Sequence, residues 1–287
     1  MSERTENEEI QDTPPWLYMA VHGGDTRAMR WKLACGISLL ALSASGLANV
    51  GLFRGTIAQI HEKFEIQLDP TNERRFVEDN RALAPPPPGA RRVVFVGDSH
   101  IERWKELPEV GGAQLVNRGW SGETTAQELL RLERDVIALA PSVVVIELGS
   151  NDTKCVGLFP GEGERIASSC HKNLSLLVER LLERDVRVVF LTLFPVGEPD
   201  LAHRMVWSGA AIHAMISAQE KINQAFVAMK TPGLTVIDSD PVLAVGGRLN
   251  PSYTVDGTHL NQAGYRALNG AVKPVLEAAL ATSRGAR

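Results

Sequence analysis

The chain has 287 residues, is 44% hydrophobic and carries a formal net charge of −4 at neutral pH. This length suits one catalytic domain of about 200 residues with accessory segments, and the mild acidity gives no electrostatic basis for binding nucleic acid. The three cysteines form no Cys-x-x-Cys motif and no cluster with zinc-ligand spacing, so we predict no metal site.

The N-terminal part of the chain has the pattern of a membrane anchor. Residues 1–32 are polar and predict a disordered cytoplasmic tail. No charged residue occurs over residues 33–53, and a helix of that length spans roughly 31 Å, close to the thickness of the hydrocarbon core of a bilayer. We therefore predict a single transmembrane signal-anchor helix over residues 33–53.

The flanking charges predict the orientation of this helix. Basic residues are concentrated on its N-terminal side, which favours a cytoplasmic tail and an exported catalytic domain. We expect a single-pass protein of a bacterial inner membrane with this domain in the periplasm. Two alternatives remain open at this point. A signal peptide would be cleaved and would release the domain, and a buried helix would belong to a soluble protein.

Residues 54–90 are predicted to be a stalk followed by a proline-rich linker. Ile57, Ile60, Phe64 and Leu68 lie near one side of a helix that Pro70 interrupts, a pattern that leaves self-association through the stalk open. The four prolines at 85–88 favour an extended polyproline spacer. The catalytic domain is therefore predicted to cover residues 91–287.

Apolar runs and helical patterns alternate through this domain. The predicted strands cover residues 93–96, 115–117, 143–148, 186–193 and 234–237, and the predicted helices cover 123–139, 164–184, 212–229 and 262–280. Strands that alternate with helices indicate an α/β fold with a parallel sheet covered on both faces. About five strands favour the flavodoxin-like doubly wound arrangement.

Polar or glycine-rich sequences follow several of these strands. Gly97-Asp98-Ser99 follows the first strand, Asn117 to Gly122 the second and Gly149 to Asp152 the third, while Asp256 to His259 precedes the last helix. In open α/β sheets, ligands bind in the crevice beyond the carboxyl ends of the strands. We therefore expect these four segments to meet in one site.

The residues of these segments suit nucleophilic attack on an ester. The hydroxyl of Ser99 is a weak nucleophile until a base such as His259 accepts its proton, and Asp256 can orient that imidazole. The backbone N–H groups of Ser99 and Gly119 and the side-chain amide of Asn151 can stabilise the oxyanion that forms. The predicted catalytic residues are therefore Ser99, Asp256 and His259, and the predicted oxyanion hole consists of Ser99, Gly119 and Asn151.

Each motif alone is more often a turn or a helix cap, so the prediction depends on the four occurring together. Ser121 is a competing nucleophile, but the sequence around it lacks the final glycine of a nucleophile elbow. Asp98 is expected to shape the turn before Ser99. Asp152 is expected to order the loop after Asn151, and neither aspartate is assigned to the site.

The four motifs, in this order, resemble the SGNH hydrolases, also called the GDSL esterase/lipase family, over residues 91–282. Val93 to Ser99, together with Gly122 to Thr125, is most similar to the group of platelet-activating-factor acetylhydrolase catalytic subunits. His100 departs from the family pattern, in which a small or apolar residue is more usual. The resemblance implies a doubly wound fold and a serine esterase that needs no cofactor.

Three alternatives for the function remain open on this resemblance. The first is hydrolysis of short-chain or acetyl carboxylic esters through an acyl-serine intermediate, with a small-molecule, glycan or lipid ester as substrate. The second is O-acetyl transfer or deacetylation on envelope polysaccharide, or lysophospholipase activity. The third is a catalytically silent binding module.

Two further features carry expectations about the surroundings of the site. Cys155 and Cys170 flank a loop after Asn151, and in an oxidising compartment they are able to form a disulfide. The connection from Pro195 to Ala211 is long and is expected to line the acyl or leaving-group pocket with three of its side chains, those of His203, Met205 and Trp207.

Overall fold

The structure is a computed structural model that describes residues 26–70, 73–198 and 207–282. The chain divides into two compact units, with the boundary between Leu68 and Asp69. Most of the predicted N-terminal tail and part of the connection after residue 198 lie outside the described residues.

In the described part of the first unit, one continuous helix, α1, covers Thr26–Leu68. It contains the apolar run 33–53 and continues past Arg54 without a break, because no proline or cluster of helix-breaking residues occurs before Pro70. Residues Ala28–Leu68 are long and apolar enough to cross a membrane by length and composition, a test that signal sequences near an N-terminus also pass. The membrane span therefore stays a prediction, as does self-association of the segment after Arg54.

The second unit alternates strands and helices. Its strands are β1 (Arg91–Gly97), β2 (Ala113–Gly119), β3 (Val143–Glu147), β4 (Arg187–Leu191), β5 (Leu234–Ile237), β6 (Ala244–Val245) and β7 (Arg248–Leu249). Its α-helices are α2 (Val77–Ala82), α3 (Ser99–Glu102), α4 (Thr125–Asp135), α5 (Ser150–Leu158), α6 (Gly163–Leu182), α7 (Gly209–Ala228), α8 (Asp240–Leu243) and α9 (Gln262–Thr282). Short 3₁₀ turns cover Ile137–Leu139, Pro160–Glu162 and Pro251–Tyr253.

The first five strands form one parallel sheet in the order β2-β1-β3-β4-β5, and β6 and β7 form a small antiparallel pair. This is the flavodoxin-like doubly wound order, so the predicted fold class is confirmed. At the carboxyl edge, Gly97 pairs with Gly119 on one side and with Glu147 on the other. The register therefore brings the ends of three strands to the same level of the sheet.

The sheet is buried on both faces, since successive side chains of each central strand point to opposite sides. In β1, Val94 and Val96 belong to one apolar cluster, whereas Val93 and Phe95 belong to the other. The first cluster includes residues of α4, α6 and α7, and the second includes Trp104 and residues of α9. This two-sided burial explains why the strands appear in the sequence as continuous apolar runs.

The segment before β1 packs against the domain, which differs from the predicted linker over residues 54–90. Phe76 is 5% exposed, and the guanidinium groups of Arg118 and Arg131 lie 5.1 and 5.3 Å from the centre of its ring. Asn80, on α2, accepts a hydrogen bond from Arg118 at 2.7 Å and donates one to Asp135 at 2.9 Å. A buried aromatic ring and paired polar groups stabilise this segment on the domain, so the compact unit begins well before residue 91.

The same region contains a buried ionic cluster around Arg131 of α4. Arg131 is 1% exposed and lies 2.5 Å from carboxylate oxygens of both Glu123 and Glu128. Burial raises the pKa of both carboxyl groups, while the guanidinium counteracts the shift.

The helix predicted over 123–139 is shorter in the structure, and its last residues form a 3₁₀ turn that ends at Ala140, where φ is +51°.

Candidate active site

The turn after β1 presents Ser99 at the start of α3. A Cβ atom on Gly97 would lie 1.9 Å from the carbonyl oxygen of Glu147, so only glycine allows the two strands to approach this closely. The side chain of Asp98 accepts a hydrogen bond from the backbone N–H of His100 at 3.0 Å and caps the helix. Asp98 therefore shapes the turn, as expected from the sequence.

The structure brings Ser99, His259 and Asp256 into one hydrogen-bonded chain. Ser99 Oγ lies 3.0 Å from His259 Nε2, and His259 Nδ1 lies 2.6 Å from Asp256 Oδ2. Ser99 is 160 positions from His259 in the sequence, and the sheet and the loop before α9 close this separation. Both distances suit proton transfer from the hydroxyl to an imidazole that a carboxylate orients.

The loop from Thr254 to His259 is held by its own hydrogen bonds. Asp256 Oδ1 accepts the backbone N–H groups of Thr258 at 2.9 Å and of His259 at 2.7 Å. The hydroxyl of Thr254 donates to the carbonyl of His259 at 2.9 Å and accepts the N–H of Gly257 at 2.9 Å. The loop therefore fixes the direction of the imidazole before any substrate is bound.

A contact from a second loop supports this arrangement. The backbone N–H of Gly197 donates to the carbonyl of Gly257 at 2.8 Å. A Cβ atom on Gly197 would lie 2.9 Å from that carbonyl oxygen, so the close approach requires glycine. The segment after β4 is thereby attached to the loop that carries Asp256 and His259.

The electrostatics favour an ionised Asp256 and a neutral His259 at neutral pH. Burial opposes ionisation of Asp256, but hydrogen bonds from His259 and Thr258 outweigh it and lower the pKa of this carboxyl group to about 2. Burial lowers the pKa of His259, and the charge of His100 adds to that effect against the opposing influence of Asp256. An anionic Asp256 keeps a hydrogen on Nδ1 of His259 and leaves a lone pair on Nε2, the state a general base needs.

The predicted oxyanion donors Asn151 and Gly119 differ in whether a hydrogen is left for the substrate. Asn151 is the second residue of α5, and its side-chain amide donates one hydrogen to the carbonyl of Glu123 at 2.8 Å, so its second hydrogen is left for another acceptor. The N–H of Gly119 donates to Asn117 Oδ1 at 2.9 Å. For Gly119 this differs from the prediction of a donor facing the site, because a neighbouring side-chain oxygen already accepts its hydrogen.

Glycine is required at position 119 for a reason that the sequence did not reveal. A Cβ atom there would lie 2.2 Å from the backbone nitrogen of Glu102 and 2.8 Å from the Cβ of Ile101. The absence of a side chain therefore lets β2 pass directly beside α3, the helix that begins with Ser99.

The other polar residues near the site have structural partners. Asp152 accepts hydrogen bonds from the N–H of Thr125 at 2.9 Å and from its hydroxyl at 2.6 Å, so it joins the start of α5 to the start of α4. Ser121 donates its hydroxyl and its N–H to the carboxylate of Glu102, and none of its described contacts is with an imidazole. The competing assignment of Ser121 as the nucleophile is therefore not supported by a histidine base among the described contacts of this serine.

Sequence reasoning noted His100 only as a departure from a family pattern and gave no role to Glu147. His100 Nδ1 lies 3.1 Å from Glu147 Oε2 and 3.7 Å from Asp98 Oδ1, and all three side chains are buried. Among the described residues, these three place possible metal-ligand atoms within 4.8 Å of one another. The sequence signal for this cluster was His100, the histidine directly after Ser99. Glu147, at the end of an apolar strand, gave no signal of its contact with His100.

The sequence left a disulfide between Cys155 and Cys170 open, and the structure gives both residues as free thiols. Cys170 is buried in the core under Gly149, where an added Cβ would lie 3.1 Å from its sulfur, whereas Cys155 is half-buried on α5. Burial raises the pKa of both thiols, which disfavours the reactive thiolate.

The loop predicted to line the pocket is only partly described. The ring of Trp207 lies 2.9 Å from the position that a Cβ on Gly157 would occupy, and Met215 packs at the same place. His203 and Met205 lie outside the described residues. The prediction that this loop lines the acyl pocket therefore stays a prediction.

Comparison with known proteins identifies relatives of this fold and sequence. A GDSL-like lipase from Bacteroides thetaiotaomicron has 25% sequence identity and a TM-score of 0.57, over 73% of this chain and 98% of that one. A Streptococcus pneumonia protein named for platelet activating factor shares the fold, with 22% identity and a TM-score of 0.58 over 77% of this chain and 99% of that one.

A curated relative, the uncharacterised lipoprotein YqeF of Bacillus subtilis, is 24% identical over 135 residues, which are 42% of this chain and 55% of that protein. The chain thus matches about half the length of this relative. The model of the GDSL-like lipase/acylhydrolase family matches residues 95–267, more than half of the chain and the whole region that contains the hydrogen-bonded chain from Ser99 to Asp256. The chain therefore belongs to the GDSL-like lipase/acylhydrolase family, whose members are hydrolases.

Proposed function

We propose that the protein hydrolyses carboxylic esters through a covalent acyl intermediate on Ser99. One observation carries this proposal: Ser99 Oγ lies 3.0 Å from His259 Nε2, and His259 Nδ1 lies 2.6 Å from Asp256 Oδ2. The loop around Asp256 and His259 is preorganised by backbone hydrogen bonds, so little rearrangement is needed before the reaction.

In the first half of the reaction, Ser99 Oγ attacks the ester carbonyl carbon while His259 Nε2 accepts the hydroxyl proton. Asp256 stabilises the imidazolium that forms, without taking the proton itself. The tetrahedral intermediate collapses, the bond to the alcohol oxygen breaks, and His259 returns the proton to that oxygen. The alcohol leaves and an acyl-Ser99 ester remains.

In the second half, His259 accepts a proton from water as the water oxygen attacks the acyl carbon. Collapse of the second tetrahedral intermediate breaks the bond to Ser99 Oγ, and His259 returns the proton to the serine. The products are the alcohol and the carboxylic acid, and the enzyme is regenerated.

The negative charge on the carbonyl oxygen is assigned to three donors. The N–H of Ser99 lies at the start of α3, and the second amide hydrogen of Asn151 is left by its bond to Glu123. Gly119 joins them once its N–H exchanges Asn117 Oδ1 for the oxyanion. The N–H of Gly119 already has a partner in the resting enzyme, so its bond to the oxyanion replaces a hydrogen bond instead of adding one. Gly119 therefore stabilises the transition state less than a donor that has no partner in the resting enzyme.

Short acyl groups such as acetyl are the proposed substrates. Ser99 is only 6% exposed, so little of its surface is open to a bulky acyl group. A panel of p-nitrophenyl esters of increasing acyl length tests this assignment, and we expect kcat/KM to be highest for acetate. A maximum at long chains would contradict it.

The mechanism is tested by Ser99→Ala. We expect kcat for p-nitrophenyl acetate to fall by more than about a thousandfold while the thermal unfolding transition is retained, because the nucleophile is lost and the fold is not. Ser121→Ala is the matched control and should keep nearly full activity. Unchanged turnover in Ser99→Ala, or loss in Ser121→Ala alone, would refute the assignment.

We further propose that residues 33–53 anchor the enzyme in a bacterial cytoplasmic membrane, with the hydrolase domain on the outer side. The uninterrupted apolar helix and the basic residues before it support this placement, as does the relative named a lipoprotein. A C-terminal alkaline phosphatase fusion, active only outside the cytoplasm, tests the orientation. An inactive fusion, together with an active cytoplasmic reporter, would reverse it.

A further inference from the structure

The side chain of His100 is enclosed directly behind the proposed nucleophile. It is 2% exposed, and the carboxyl groups of Asp98 and Glu147 beside it are fully buried. Its ring stacks on Phe194, with the ring centres 4.9 Å apart. A polar ring buried this deeply costs free energy unless each of its nitrogens has a partner.

Both ring nitrogens of His100 face oxygen acceptors. Nδ1 lies 3.1 Å from Glu147 Oε2, and Nε2 lies 3.2 Å from the backbone carbonyl of Thr258. A carbonyl oxygen only accepts, so Nε2 must carry a hydrogen, and an ionised Glu147 requires a hydrogen on Nδ1 as well. With Glu147 ionised, only the imidazolium form satisfies both contacts, and it leaves no lone pair for a metal.

We propose that His100 is a positioning residue that is held as a buried imidazolium between Glu147 and the Thr258 carbonyl, where it fixes the loop carrying Asp256 and His259 against the Ser99 turn. This inference rests on the proposed function. His100 does not touch the reacting atoms and acts through the position and the charge state of His259.

The contact with Thr258 explains how His100 acts on the base. Thr258 lies between Asp256 and His259 in the sequence, and its own N–H donates to Asp256 Oδ1 at 2.9 Å. Its carbonyl shares a peptide group with the N–H of His259, which donates to Asp256 Oδ1 at 2.7 Å, so the contact with His100 fixes the orientation of the peptide plane next to His259. The main chain of His100 is anchored too, since its carbonyl accepts the hydroxyl of Tyr265 at 2.7 Å.

The charges around His100 agree with this assignment. Burial opposes protonation, but Glu147 and Asp98 outweigh it and raise the pKa of His100 to about 9, with Lys154 opposing them weakly. Burial and the charge of Glu147 raise the pKa of Asp98 to about 6. Tyr265 faces the cluster from α9 and stays neutral, because burial raises the pKa of its hydroxyl.

The first experiment reads the protonation state directly on the wild-type full-length protein. We expect the ¹⁵N spectrum of His100 to show hydrogens on both ring nitrogens from about pH 6 to about pH 8, where an ordinary histidine loses one. His100→Gln assigns the signals, and His213→Gln, an exposed histidine on α7, is the control. A ring nitrogen of His100 without a hydrogen in this range would overturn the proposal.

The second experiment measures steady-state kinetics for His100→Gln, Glu147→Gln and the double variant. We expect each single change to lower kcat by about 10- to 100-fold with KM within about twofold, because the base is misplaced while the substrate site is intact. The double variant should lose no more than His100→Gln alone, since the two residues act as a unit. His100→Gln with kcat within about twofold of wild type, or additive losses, would overturn the proposal.

The two proposals fail in distinguishable ways. An active Ser99→Ala variant would refute the proposed mechanism itself. An inactive Ser99→Ala variant combined with a fully active His100→Gln variant would refute only the role of His100. Should His100→Gln not fold, Glu147→Gln still decides the question, since kcat within about twofold of wild type in that variant would overturn the role of His100.

Discussion

Replacing Asp256 by asparagine separates two roles of the carboxylate: orienting and stabilising the imidazole of His259, and holding the loop through backbone hydrogen bonds. Asp256 Oδ1 accepts two backbone N–H groups, at 2.9 and 2.7 Å, and Oδ2 faces His259 Nδ1 at 2.6 Å. An asparagine keeps both backbone bonds only if its oxygen replaces Oδ1, which turns its NH₂ group toward Nδ1. The imidazole must then carry its hydrogen on Nε2 and can no longer accept the proton of Ser99.

The structure sets the size of this effect. Recovering the productive tautomer requires the amide to flip and give up two backbone hydrogen bonds, which costs about 1–3 kcal/mol or about 5- to 150-fold in population. The flipped amide also lacks the negative charge that stabilises the imidazolium in the transition state. Together we expect Asp256→Asn to lower kcat by about 10³- to 10⁴-fold, the size of loss that this change produces in serine proteases.

The pH profile provides a second measurement. Asp256 raises the pKa of His259 against the effect of burial, so removing its charge lowers that pKa further. His259 must be neutral to act as a base, so the acidic limb of kcat/KM should move to lower pH in Asp256→Asn. Asp240→Asn, at the exposed start of α8, is the matched control. Activity within about tenfold of wild type, with an unmoved acidic limb, would refute the reasoning.

Three other predictions concern the surroundings of the site. Asn151→Ala should lower kcat for p-nitrophenyl acetate by about 10²- to 10³-fold through the lost oxyanion donor, and a loss confined to KM would contradict this. Phe76→Ala should lower the free energy of unfolding by about 3–5 kcal/mol in chemical denaturation, because a ring that is 5% exposed is removed, whereas a change below about 1 kcal/mol would show that the segment is a free linker. Alkylation of the unfolded, unreduced protein should label three cysteines, and in the native state Cys170 should resist the reagent that reaches Cys155; loss of two labels would demonstrate a disulfide.

The pairing of Ser99 with His259 was predictable because it depends on rules that are visible in the sequence. An apolar run marks each strand, parallel strands end at one edge, and the register of Gly97 with Gly119 brings the first two motifs together. Asp256 lies three residues before His259, so its contact with the imidazole is local. These features require only the order and spacing of the motifs.

The remaining features depend on contacts that spacing does not encode. The pairing of the Gly119 N–H with Asn117 depends on a side-chain rotamer, and the contact of Glu147 with His100 crosses from one strand end to another. The prolines before β1 predicted a spacer from their local conformational preference alone. They gave no sign that Phe76, upstream of them, packs between arginines on the domain surface.

The hydrogen bond from Gly197 to Gly257 has a consequence for how this enzyme can be redesigned. The connection that continues from Glu198 is predicted to line the acyl or leaving-group pocket, and this prediction makes it the place to diversify a library for new acyl or alcohol groups. The start of this connection, at Gly197, is bonded to the loop that carries His259. Lengthening or stiffening the connection would therefore change selectivity and turnover together. Randomisation should therefore keep Gly197, so that selectivity is varied while the position of the imidazole, and with it turnover, is preserved.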